Sequence, residues 1–251
     1  MSSQTDLATQ IIKFGAQTNG RDKLFRLIQY GSKLVTWYLQ TDRGKVEFLE
    51  KLKKLETSMS MTRKLLRFGK SLDFIQGALK TIHLSDPVLR LTITMSKLCQ
   101  AVFLLFDHIV FAHNLGLVKA DKEKWSRYSS QFWLYSLILN LLRNLYDILS
   151  IIANEARAQE NLQKRSQFMN GGTDHSSVSR KRMGNVQTLK KCCFENQPVV
   201  LDFLKNLSDL VLPLHSLGKL NVSGGVLGFL GVISSAVGVA TVWSPILKLV
   251  P

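Results

Sequence analysis

The chain has 251 residues, 45% of them hydrophobic, and 33 Lys and Arg against 18 Asp and Glu give it a formal charge of +15. Such length and apolar content exclude a wholly disordered polymer, and one or two domains are expected. The positive surplus needs an anionic counterpart: a bilayer surface, an acidic protein or nucleic acid.

From residue 11 to about 152 the apolar residues recur at three and four with few prolines and no sustained alternation, which predicts an all-α, membrane-associated helical bundle. A first helix is expected over 22–39, with Leu24, Ile28, Val35 and Tyr38 on one side. Residues 45–56 read as a charged amphipathic turn of helix with Phe48, Leu52 and Leu55 inward. Ser85-Asp86-Pro87 reads as a helix start, with proline at the first position and an acid at the positive end of the dipole. It opens a long apolar segment over 88–118 that carries Arg90, Lys97 and Asp107. If this segment crosses a membrane, Asp107 should face protein or water, because a central charge costs about 2.5–3.5 kcal/mol in lipid. A further helix over 125–152 has an uncharged run of only 15 residues, 128–142, and is expected in a core or at an interface. The composition then divides the chain into a helical region 1–155, a basic flexible linker 156–197 with Gly171-Gly172 and Arg180-Lys181-Arg182, and a C-terminal region 198–251.

The C-terminal region holds 28 consecutive uncharged residues, 220–247, where about 20 suffice to cross hydrocarbon, so a transmembrane helix is predicted at about 221–244. Gly224, Gly228, Gly231, Ser235 and Gly238 repeat at four, three, four and three, a stripe of small residues on one face. Such a stripe lets backbones approach closely, either as an oligomer seam or by packing on the segment at 88–118.

Residues 58–83 carry an apolar stripe of Met61, Leu65, Phe68, Leu72, Ile75, Leu79 and Ile82 at alternating spacings of four and three. Arg63, Arg67 and Lys70 project from the opposite side and Lys64 from the edge, where a long stem can bury and its charged head can reach phosphate. This suits a helix lying in a bilayer interface, its cations among anionic lipid headgroups. The same stripe also fits an ordinary bundle helix.

No catalytic constellation appears: GxGxxG, Walker, HExxH and GxSxG patterns are missing, and the histidines at 83, 108, 113, 175 and 215 are scattered. No cofactor, catalytic residue or metal site is therefore expected. Cys99 and the vicinal Cys192 and Cys193 have neither an even framework nor CxxC spacing, which argues for a reducing compartment. The start lacks a secretory signal pattern, and the basic cluster at 180–182 lacks the interleaved aromatics of a nucleic-acid binder.

Over nearly its whole length the chain resembles the peroxin-eleven family of peroxisomal membrane proteins. The likeness rests on Asn19-Gly20-Arg21-Asp22-Lys23-Leu24-Phe25-Arg26, Thr62-Arg63-Lys64-Leu65-Leu66-Arg67-Phe68-Gly69, His83-Leu84-Ser85-Asp86 and Lys122-Glu123-Lys124-Trp125. It continues through Tyr135-Ser136-Leu137, Asp147-Ile148 and Gly225-Val226-Leu227-Gly228-Phe229-Leu230-Gly231-Val232-Ile233-Ser234-Ser235. The resemblance implies an integral protein of the peroxisomal membrane with both termini in the cytosol. It also implies homo-oligomerisation, elongation of the membrane through the helix at 58–83, and fission with a dynamin-like GTPase and its membrane adaptors. A pore or metabolite channel is the alternative it leaves open.

Overall fold

A computed structural model of the chain describes residues 2–40, 45–169 and 195–249. Among these residues there are eight α-helices, one 3-10 turn and no strand, as the apolar periodicity predicts. The helices are α1 (Ser2–Ala16), α2 (Thr18–Leu39), α3 (Val46–Leu66), α4 (Lys70–Thr81), α5 (Pro87–Asn114), α6 (Lys122–Met169), α7 (Gln197–Ser216) and α8 (Gly224–Trp243). The 3-10 turn Pro245–Leu247 follows α8.

Several helix ends follow from local chemistry. Asp86 caps α5 by accepting from the N–H groups of Val88 (2.8 Å) and Leu89 (3.2 Å), with Pro87 in the first turn where no N–H is needed. The helix expected over 58–83 is instead two helices. Gly69 adopts φ +79°, a left-handed conformation that a side chain resists, and the chain turns there between α3 and α4. The charged segment after residue 45 is the first part of α3, and Phe48 and Leu55 point outward rather than inward. Helix α6 runs on to Met169, past the linker boundary placed at 156; residues 170–194, which include Cys192, Cys193 and the basic cluster, lie outside the described residues.

Neighbouring helices close a ring. Helix α2 packs on α3, α3 and α4 on α5, α5 on α6, α6 on α7, α7 on α8, and α8 returns to α2. Polar side chains bridge several of these seams: Ser96 donates to Asn140 (2.6 Å), Ser130 meets Ser216 (3.0 Å), and Asn144 donates to Asp202 (3.2 Å). Among the described residues, eighteen polar or charged ones are buried against eleven apolar ones, while Leu72, Leu91, Leu142 and Leu149 stand exposed on the outside. Water would reverse that arrangement; a hydrocarbon solvent favours it, because polar groups then find their partners inside. Among the described residues, three helices are long and apolar enough to cross a membrane: Pro87–Asn114, Lys122–Ala158 and Gly224–Trp243. The second exceeds what its 15-residue uncharged run suggested, since Arg143 and Asp147, four apart on the same helix, pair at 3.5 Å within it.

Candidate functional site: a charged ring interior and an outward apolar stripe

The ring surrounds a half-open cavity of about 650 Å³, lined from α2, α3, α4, α5, α6, α7 and α8. Polar stripes at helical spacing supply its walls. Helix α2 contributes Asp22, Arg26, Gln29 and Lys33, α6 contributes Ser129, Ser136 and Asn140, and α7 contributes Lys205, Asn206 and Asp209.

The basic residues of 58–70 turn into this interior. Arg63 is 9% exposed; its Nε donates to Asp22 (3.1 Å) and its Nη1 to Gln29 (2.8 Å). Lys64 and Arg67 share Asp107, at 2.9 and 3.0 Å. Lys70 donates to the amide oxygen of Asn19. On the far wall Arg26 grips Asp209 with two parallel bonds of 2.5 and 3.2 Å, the bidentate geometry in which guanidinium and carboxylate pair best. Asp107 thus faces protein, as a charge on an apolar helix must.

The electrostatics follow from burial and crowding. Burial alone would raise the pKa of Asp22, but Arg63, Lys23, Arg67 and Lys70 overcome it and hold the carboxyl below its usual value. Burial and then Arg26 push Lys23 down to about 7, and burial and Arg67 lower Arg63 to about 10. Lys70 is lowered chiefly by burial. Burial also opposes the charge on Arg26, yet Asp209 more than offsets it and keeps the guanidinium protonated.

With the cations inside, the apolar stripe faces out. Leu65, Phe68, Leu72, Ile75, Leu79 and Ile82 are all exposed across the α3–α4 elbow, Phe68 by 74%, and Met61 is half-buried beside Asn114. The two faces therefore lie as the periodicity predicts, and within the chain the cationic face meets Asp22 and Asp107.

The small-residue stripe of α8 is also used within the chain. Its cover is α2, which the sequence pattern did not identify: Gly225 lies under Trp37, Gly228 under the backbone of Leu34 and Gly231 under Tyr30. Lys23 runs over Gly238, Gly224 borders Trp37, and the buried Ser235 hydroxyl donates to Gly231 (2.5 Å). Within the chain, α2 rather than the segment at 88–118 fills the stripe.

Among the described residues no group of His, Cys, Asp and Glu could hold a metal. His108 sits edge-on to Phe68, with ring centroids 5.2 Å apart. Cys99 is a free thiol.

No solved structure matches the chain. Among curated proteins it is 33% identical to Peroxisomal membrane protein 11B of Bos taurus, over 96% of this chain and 98% of that one. It is 35% identical to Peroxisomal membrane protein 11A of Rattus norvegicus (95% and 97%) and 28% identical to a Peroxisomal membrane protein 11 homolog of Dictyostelium discoideum (93% of each). The family model for Peroxisomal biogenesis factor 11 (PEX11) matches residues 8–243. Over nearly its full length, then, the chain belongs to the peroxisomal biogenesis factor 11 family.

Proposed function

We propose that the chain is an integral protein of the peroxisomal membrane that elongates that membrane and so promotes peroxisome fission and proliferation. The observation that carries the reading is the outward stripe of Leu65, Phe68, Leu72, Ile75, Leu79 and Ile82 on a kinked helix pair. Lipid receives this stripe as an apolar wedge, and its binding scales with buried apolar area. Arg63, Lys64 and Arg67 are engaged with Asp22 and Asp107 inside, so the apolar stripe carries the insertion. Both termini lie in the cytosol, where a dynamin-like GTPase and its adaptors act, and self-association uses a face other than the α8 stripe. The test is the full-length protein in anionic liposomes: Leu65→Glu and Phe68→Glu should each abolish tubulation while the fold is retained. Tubulation equal to that of the unaltered protein would remove the mechanism.

A second reading, passage of small solutes, is favoured by the closed helix ring around a charged cavity. Conductance of the reconstituted protein, altered by Asp107→Ala, supports it; an unchanged trace refutes it.

A further inference from the structure

The cavity holds more positive charge than its own carboxylates can match. Of its eight lysines and arginines, Lys33 is paired with Glu56 (3.5 Å) and Lys205 with Asp202 (2.9 Å). Six cations, Lys23, Arg26, Arg63, Lys64, Arg67 and Lys70, remain to face three acids, Asp22, Asp107 and Asp209. Arg63 and Arg26 take Asp22 and Asp209, and Lys64 and Arg67 share Asp107. Lys23 and Lys70 are left over. Lys23 lies 4.0 Å from an Asp22 already engaged by Arg63, and among the described residues Lys70 donates to a neutral amide oxygen, with Asp22 and Asp73 acting on it only through space. The buried Arg26 Nε is also without a partner among the described residues. Clustered like charges withdrawn from water repel one another unless an anion joins them.

We propose that the cavity binds a divalent oxyanion of the phosphate class between Lys23 and Lys70, with the guanidinium groups of Arg63 and Arg67 behind them. Tetrahedral oxyanions suit this donor set, since lysines act on them as point charges and arginines as planar forks. A cavity of about 650 Å³ has room for a phosphorylated small molecule or for one lipid headgroup. The site does not depend on solute passing through the ring.

The experiment uses purified full-length protein in a neutral detergent, with sodium sulfate as probe and chloride at equal ionic strength as reference. Sulfate should raise the unfolding temperature saturably and chloride should not. Lys23→Gln/Lys70→Gln should weaken the apparent affinity at least tenfold while making the anion-free protein more stable, because the repulsion is relieved. The exposed Lys219→Gln should leave both readouts unchanged. A purely structural role for the lysines predicts a less stable double variant instead. Dihexanoyl phosphatidic acid, compared with dihexanoyl phosphatidylcholine, separates the sources: stabilisation by the acid where sulfate has no effect assigns the oxyanion to a headgroup. If neither sulfate nor the acid exceeds its reference, or the double variant binds as tightly as the unaltered protein, the site is overturned. Tubulation and conductance surviving that result would leave the proposed functions standing without it.

Discussion

The contact between α2 and α8 gives the most direct test of the fold. A Cβ placed on Gly228 would lie 2.8 Å from both Cα and N of Leu34, whereas ordinary contacts between non-bonded carbons lie at about 3.5–4.0 Å. The obstacle is backbone on both sides, so no rotamer can relieve it and the helices must part by about 1 Å. Parting them also loosens Tyr30 over Gly231 and Trp37 over Gly225. Overpacking of this kind costs about 1–3 kcal/mol, and each kcal/mol moves the midpoint by about 2–4 °C in a chain of this size. Gly228→Ala should therefore melt measurably lower in detergent than the unaltered protein. Gly31→Ala is the matched control: it lies within α2 with nothing within 4 Å, so it should be neutral or raise stability by up to about 1 kcal/mol through helix propensity. If Gly228→Ala melts like Gly31→Ala and only the oligomer changes, the stripe belongs between chains and the packing described above is wrong.

Asp107→Asn leaves Lys64 and Arg67 without their shared carboxylate and should cost up to about 3 kcal/mol; Asp107→Asn combined with Arg67→Met should recover part of it, as thermal melts of the two variants will show. Replacing the buried Arg26–Asp209 pair together, as Arg26→Met/Asp209→Leu, should leave stability nearly unchanged, while either single change should cost about 3–5 kcal/mol. Lys23 supplies a pH signature. Its folded pKa of about 7 lies below its unfolded value, so between about 7 and 10 the unfolded chain holds a proton that the folded one lacks, and stability must rise with pH there. The slope is at most about 1.4 kcal/mol per pH unit, and Lys23→Met should flatten melts recorded from pH 6.5 to 9.5.

Much of the fold is legible in spacing. Apolar recurrence gives the helices, and Ser85-Asp86-Pro87 gives the start of α5 with its cap geometry. What spacing does not give is continuity: the stripe from Met61 to Ile82 keeps its phase across Gly69, so the break leaves no trace in the apolar pattern and shows only in the glycine itself. Nor does it give partners. The α8 stripe announces a close backbone approach, but α2 carries bulky Tyr30, Leu34 and Trp37 opposite it, and nothing in the small residues selects those over the apolar face of 88–118.

The charged interior was hidden for a different reason. An amphipathic helix defines two faces without saying which meets the solvent, and choosing the cationic face for the outside assumes that water or headgroups are the only polar surroundings on offer. The missing clue lay in other helices. Asp22, Arg26, Gln29 and Lys33 recur at four, three and four on α2, and Asp202, Asn206 and Asp209 recur at four and three on α7, so each helix brings a polar stripe of its own. Three such stripes, one of them holding Arg63, Arg67 and Lys70, can satisfy one another only by facing inward together, which turns every apolar stripe outward. That arrangement is stable where the surroundings are hydrocarbon, since buried charges keep their partners while leucines and phenylalanines meet acyl chains. The elbow of α3 and α4 is thus apolar outside because it is charged inside, and a substitution that disturbs Asp22 or Asp107 should disturb the membrane-facing surface as well.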